Sequence, residues 1–161
     1  ADAAARADLV VNATNGAGSL EALTAAGAAN LAGKVVMDIA NPLDFSRGFP
    51  PSLNPVNTDS LAEQIQRAFP EARVVKTLIT MTASVMVDPA SVAGGDHSVF
   101  VSGNDAAAKE IVGGLLAGFG HRDIIDLGDI TTARGAEMVL PIWVRIWGVL
   151  GTAAFNFKIV R

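Results

Sequence analysis

Three short stretches hold the residues best suited to chemistry: Ala13-Thr14-Asn15, Ala40-Asn41-Pro42-Leu43 and Thr80-Met81-Thr82-Ala83. Each follows an apolar, β-branched run (LVVNA, KVVMDI and RVVKTLI) of the kind that a strand buried on both faces requires. Small side chains at such ends let a planar ring or a ribose approach the backbone, while Thr and Asn offer hydrogen bonds. In open α/β sheets ligands sit outside the carboxyl ends of the parallel strands. Three such ends lying side by side would form one wall of a cofactor site. Taken singly, Asn, Thr and Pro are ordinary turn formers; it is their coincidence at three strand ends that points to a site.

The other polar candidates read as structural. Asn15-Gly16-Ala17-Gly18 contains a G-x-G, but Leu20-Glu21 stand where the third glycine of a phosphate-binding fingerprint belongs. That makes it a tight strand-to-helix turn. His97 and His121 lie near glycines at element boundaries, with no carboxylate at ligand spacing, which gives them surface or structural roles. Asp38 falls within an apolar strand, where an unpaired charge is costly. It is expected to cap a neighbouring helix or turn rather than to act in catalysis. There is no Ser-His-Asp order, no paired carboxylate motif and no Tyr, so no catalytic side chain and no metal ligand is assigned. Hydride exchange between two bound rings needs none of these groups, because orientation and exclusion of water do most of the work. The scarcity of acid–base groups therefore fits redox positioning better than hydrolysis.

The elements that must position these ends follow from periodicity and punctuation. A helix end runs into a strand at Leu9 to Ala13, followed by an Ala-rich helix from Ser19 to Ala29. The second strand, Lys34 to Ile39, stops at Pro42, which cannot extend a ladder. Asp44 to Thr58, with Pro50, Pro51 and Pro55, reads as a long irregular loop, and loops of that length in a compact domain are usually functional. Thr58 or Asp59 is expected to cap a helix reaching Phe69, with Leu61, Ile65 and Phe69 on one face. A strand opening at Arg73 passes Leu78-Ile79 into the third candidate stretch, and Asp88 to Asp96 is a turn-rich link. Ser98 to Ser102 is a strand, Asn104 or Asp105 caps a helix ended by Gly120, and Asp123 to Leu127 is a fifth strand. A last helix, capped by Thr131 or Thr132, runs to about Gly151. Trp143 and Trp147 are four apart on it and share a face. With Met138, Ile142, Ile146 and Leu150 they make it apolar almost all round, so the sheet or another subunit must cover it. The tail from Ala154 to Val160 alternates like a strand or an extended arm that could close over a pocket. The order β-α-β-α-β-loop-β-α-β-α predicts a single α/β domain over 1–161, with a mostly parallel sheet and right-handed crossovers.

Composition narrows the classes. Half of the 161 residues are hydrophobic, enough for one well-cored domain. The absence of Cys excludes a disulfide framework, thiolate catalysis and a Cys-based metal site. Net charge is −4 with scattered acids, so no basic patch suggests nucleic acid. The most apolar segment, Met138 to Leu150, contains Pro141 and Arg145 and is too short for a bilayer span, so no membrane role is expected. A cytoplasmic enzyme is the default expectation. The opening ADAAARADLVVNA, the end of a helix running straight into a strand, predicts further sequence upstream.

The stretches KTLITMTASVMVDP, DIANPLDFSRG, HSVFVSGNDAAAKEIV, IIDLGDITTARGAEMVLPIWVRIWGVLG and FNFKIV, in this order, resemble the NADPH-dependent F420 reductase family. The resemblance covers nearly the whole chain. It implies a Rossmann-like α/β fold with flanking helices, in which hydride passes between NADP(H) and the deazaflavin coenzyme F420. It also implies that the first βαβ unit, with its G-x-G-x-x-G turn, lies outside these residues, and that NADPH binds poorly without that pyrophosphate cradle. By the family pattern Thr14 and Asn15 border the nicotinamide riboside. Leu43 and Ala83 lie near the nicotinamide and the stacked deazaflavin, with Asn41, Pro42, Thr80 and Met81 around them, and Asn156 approaches from the other side. A homodimer involving the Met138–Leu150 helix is expected. Ile79 stands where relatives commonly carry Asn in K-T-L-N-T, which removes an amide at that strand end. A drift of acceptor from F420 to FMN or FAD is the first alternative, as in an NADPH-dependent flavin or metal reductase. A non-catalytic Rossmann-like module for dimerisation or regulation is the second.

Overall fold

The computed structural model describes residues 1–161. In chain order the elements are α1 (Asp2–Arg6), β1 (Leu9–Asn12), α2 (Ser19–Ala26), α3 (Ala28–Leu31), β2 (Val35–Asp38), β3 (Leu43–Asp44), β4 (Ser52–Leu53) and α4 (Leu61–Ala68). They continue with β5 (Arg73–Thr77), α5 (Ala83–Val87), β6 (Ser98–Gly103), α6 (Ala106–Phe119), β7 (Asp123–Gly128), α7 (Ala133–Glu137) and α8 (Leu140–Leu150). The main sheet runs β1-β2-β5-β6-β7. Three of its four pairings are parallel and β5–β6 is antiparallel.

Because successive strand side chains point to opposite faces, the valine pairs serve two cores. Val36 and Val74 pack with Leu31, Ile65 and Phe69 on one face. Val35 and Val75 pack with Val99, Val112 and Leu116 on the other. Full burial of such a side chain contributes about 1.5–3 kcal/mol, so helices on both faces are required and both are present.

The stretch from Arg73 corrects one expectation. β5 ends at Thr77, and Leu78 takes a left-handed φ of 59°. The chain then forms the five-residue helix α5. A helix that short spans about 7.5 Å and cannot carry the chain back along β5, which is about 16 Å long. The chain stays at that end of the sheet through two 3-10 turns, Pro89–Ser91 and Ala93–Gly95, and β6 returns antiparallel.

Three boundaries also differ from the sequence reading. The loop after Pro42 is not wholly irregular, since Leu43–Asp44 and Ser52–Leu53 form a short antiparallel ladder. Ser60, not Thr58 or Asp59, caps α4, its Oγ accepting from the Glu63 N–H at 3.1 Å. Asp59 is held outside the helix by Arg67 at 2.8 Å and Gln64 at 3.1 Å. The last helix is broken at Met138-Val139, after which Pro141, lacking an N–H, sits in the first turn of α8. Asp105 and Gly120 bound α6 as expected. No helix is long and apolar enough to cross a membrane.

Glu63 also ties α4 to α7. Its buried carboxylate accepts two hydrogen bonds from Arg134, at 2.8 and 2.5 Å. That hydrogen bonding, helped by Ser60 and opposed by burial, holds the Glu63 pKa below its ordinary value. The folded pKa lies under the unfolded one, so the stabilisation is present above the usual glutamate range and is lost as pH falls through the depressed value. Melting curves taken from neutral to acidic pH should therefore fall more steeply for the wild type than for Glu63→Gln. Equal slopes would remove Glu63 as a source of acid sensitivity.

Candidate cofactor cleft

The carboxyl ends of β1, β2 and β5 lie side by side because these three strands are adjacent and parallel. A cleft of about 340 Å³ opens over them, lined by Thr14, Asn15, Asn41, Leu43 and Ala83 with Ile39, Phe45 and Met86 among the apolar walls. A second cleft of about 450 Å³ adjoins it, sharing Asn15, Leu43 and Phe45 and adding Gly16, Asn54 and Gln64. A larger cleft, about 650 Å³ and lined mostly by polar residues, lies at the opposite end of the strands beside Arg73 and Asp105, away from the strand ends in question.

A buried hydrogen-bond network builds the floor. Asn12, the last residue of β1, donates from Nδ2 to Asp38 Oδ1 at 2.8 Å and to Ser19 Oγ at 3.1 Å. Its Oδ1 accepts the Thr14 hydroxyl at 2.7 Å. Asn15 accepts from the Ala17 N–H at 3.1 Å and so starts the 3-10 turn Gly16–Gly18. Gly16 presses against the neighbouring wall, where a Cβ would stand 2.2 Å from the Asn41 carbonyl oxygen. No other residue fits this backbone approach.

Of the remaining expected site residues, Pro42 is buried behind the wall, its carbonyl accepting from the Asn54 N–H at 2.9 Å. Met81 points into the core with Leu78 and Val85. Thr80 is buried and donates to Asn156 Oδ1 at 3.0 Å. Asn156 is the anchor of the tail: its Nδ2 donates to His97 Nδ1 at 2.9 Å and to the Ser98 carbonyl at 3.0 Å. This pattern assigns the His97 proton to Nε2, which donates to the Pro89 carbonyl at 3.1 Å. Asn156→Ala is expected to cost about 1–3 kcal/mol, because the buried Thr80 hydroxyl loses its acceptor. It should also speed limited proteolysis within residues 152–161; an unchanged cleavage rate would show that Asn156 does not hold the tail.

Both histidines are buried rather than on the surface, their rings edge-to-face at 5.9 Å. Burial lowers the His121 pKa, against a hydrogen bond from its ring to the Met86 carbonyl. Trp143 stacks on Phe155 of the tail at 5.1 Å, and Trp147 meets Phe49 edge-on at 6.1 Å.

Two residues escaped the sequence reading, Lys76 and Glu137. Asp38 is not merely a turn cap: alongside its bond to the Ala40 N–H at 3.2 Å it pairs with Lys76 Nζ at 2.8 Å. Lys76 also meets Glu137 Oε1 at 3.1 Å, and all three are buried. Burial pulls the Lys76 pKa down, but the two carboxylates outweigh it and hold it above the ordinary lysine value, so the ammonium stays charged. The available signal was a charge inside each apolar strand, in VVMD and VVKT. Their in-register adjacency, Asp38 opposite Lys76, appears only with the strand order.

The lining of the 340 Å³ cleft contains no titratable side chain, and no group of three or more His, Cys, Asp or Glu could hold a metal ion. Asn41 Oδ1 is buried without a hydrogen-bond partner. A mainly apolar slot beside an unpaired buried acceptor fits a flat ring bearing an amide donor, as a nicotinamide does.

Strand order, flanking helices and a ligand-sized cleft at parallel strand ends define a Rossmann-like α/β protein. No family model matches the chain. A crystal structure from Arthrobacter sp. fb24, named as a candidate F420-dependent NADP reductase, is 76% identical, with a TM-score of 0.98, over 99% of this chain and 73% of that one. The F420-dependent NADP reductase of Methanocaldococcus jannaschii is 30% identical over 115 residues, 71% of this chain and 51% of the relative. Metalloreductase STEAP3 of Rattus norvegicus is 28% identical over 117 residues, 70% of this chain and 22% of the relative. The chain thus spans about half of one curated relative and less of the other. The chain belongs to the F420-dependent NADP reductase family.

Proposed function

We propose that this protein transfers hydride between NADP(H) and coenzyme F420 by holding two rings face to face, without acid–base catalysis. The observation that carries this reading is the 340 Å³ cleft at three adjacent parallel strand ends, mainly apolar, free of titratable groups and walled in part by Asn41, whose buried Oδ1 is unpaired, in a chain of this family. The nicotinamide supplies the hydride chemistry when bound. Thr14 and Asn15 would border its riboside, Asn41 Oδ1 would accept from the carboxamide, and Leu43 and Ala83 would flank the stacked rings. Pro42, Thr80 and Met81 would support these walls from behind, and Asn156 would fix the tail against Thr80. Exclusion of water by Ile39, Phe45 and Met86 would protect the hydride.

The test is an anaerobic assay of NADPH oxidation by the full-length protein with F420, FMN, FAD and ferric chelates as separate acceptors. Turnover confined to F420 is expected, with NADPH binding in the micromolar range, roughly. Flavin or iron reduction without F420 turnover would favour the reading suggested by the similarity to the metalloreductase. Absence of nicotinamide binding, with no turnover on any acceptor, would leave a dimerising or regulatory module. The proposed setting is cytoplasmic.

The proposal includes a homodimer through the Met138–Leu150 helix. On α8, Ile142, Leu150 and Val149 are exposed, the last by 86%, in a largely apolar strip. Val149→Asp is expected to convert the dimer to monomer in light-scattering measurements, at unchanged secondary structure. A wild-type monomer would overturn this part.

A further inference from the structure

Below the cleft lies a charged cluster that ring positioning does not explain. Lys76 and Asp38 are 1% and 0% exposed, and between them they hold both polar groups of Ala40's backbone. Asp38 Oδ1 accepts from the Ala40 N–H at 3.2 Å, and Lys76 Nζ donates to the Ala40 carbonyl. Ala40 lies beyond the end of β2, where no ladder partner fixes it. The next residue is Asn41, which lines the cleft and whose buried Oδ1 has no hydrogen-bond partner. The same Asp38 Oδ1 takes Asn12 Nδ2, which leads to Thr14 on the adjoining wall. On the far side Glu137 meets Lys76 and accepts from the Leu61 and Ala62 N–H groups at 2.9 and 3.2 Å, tying the cluster to the start of α4.

Buried ion pairs are poor stabilisers: apolar side chains of similar volume often serve as well or better. What apolar side chains cannot do is grip a carbonyl and an N–H of one loop residue from opposite sides. We propose that Lys76, with Asp38, is a positioning residue that clamps Ala40 and thereby sets Asn41 against the bound ring. This rests on the reading of the cleft as the cofactor site.

The test uses full-length Asp38→Asn/Lys76→Met/Glu137→Gln, which removes all three charges of the cluster, nearly keeps volume and leaves amide oxygens for Asn12 and for the first N–H groups of α4. The variant is expected to melt within a few degrees of wild type. Amide exchange at Ala40 and Asn41 should accelerate at least about ten-fold, and kcat should fall about 10- to 100-fold with a much smaller change in the NADPH KM. A folded variant with wild-type kcat, or with unchanged exchange at both amides, overturns the proposal. Should the variant not fold, wild-type exchange decides: an Ala40 amide as protected as the β2 core supports the clamp, and one exchanging like an exposed loop overturns it. Wild-type protein inactive with every acceptor counts against the hydride reading alone, and the exchange data still decide whether Ala40 is clamped.

Discussion

Replacing Asp38 by alanine is expected to lower stability by about 3–5 kcal/mol, the usual cost of removing one member of a buried pair. Three donors each lose one acceptor at once: Asn12 Nδ2, the Ala40 N–H and Lys76 Nζ. Lys76 keeps Glu137 and the Ala40 carbonyl but loses one of its two counter-charges while fully buried. Total stabilities of such domains are about 5–15 kcal/mol, so about a fifth or more is at stake. At about 2–4 °C per kcal/mol for this size, the melting midpoint should drop by roughly 10 °C. The combined change Asp38→Asn/Lys76→Met/Glu137→Gln should cost far less, since it leaves no unpaired charge in the cluster. A thermal melt of both variants checks the contrast. Equal losses would mean that the cluster stabilises through shape and not through charge pairing.

Gly16→Ala is expected to disable the cleft. The new Cβ would lie 2.2 Å from the Asn41 carbonyl oxygen, 2.8 Å from its carbon and 3.0 Å from Pro42 Cα. All three are backbone atoms, so no rotamer change relieves the clash and one wall must move. Overpacking of this kind costs about 1–3 kcal/mol, and a displacement of about 1 Å at a reacting site can cost 100-fold in rate. Gly18→Ala is the control, because its Cβ meets no atom within 4 Å and its φ is −97°. Turnover and NADPH titration of the two variants should differ by at least about ten-fold. Matching kinetics would show that the 16–18 turn is remote from the reacting rings.

Much of the architecture was legible because it depends on short-range patterns. The valine runs read directly as strands buried on both faces, and Asn104 or Asp105 with Gly120 as the bounds of α6, of which the structure selects Asp105, because cap and stop chemistry act within a few residues. Where local signals competed, the reading slipped. Asp59, Thr58 and Ser60 are all good caps, and only the side-chain partners Arg67 and Gln64 decide that Asp59 stays outside. Of the candidate site, Thr14, Asn15, Asn41, Leu43 and Ala83 meet in one cleft because β1, β2 and β5 are parallel neighbours. Met81 turns into the core instead, since the left-handed step at Leu78 ends the strand's alternation before it arrives.

By itself the sequence determined the class of fold, the positions of the strand ends and the family, since periodicity, punctuation and ordered motifs all survive in one dimension. Only the tertiary structure decided which charges would meet. Any apolar strand is a plausible neighbour for any other, so the facing of Asp38 and Lys76 is a matter of strand order and register. The approach of Glu137 depends further on where α7 packs. The reversal of β6 was settled the same way, by a helix too short to carry the chain back. An ion pair across a sheet is a property of the pairing, and the pairing is chosen by the whole core.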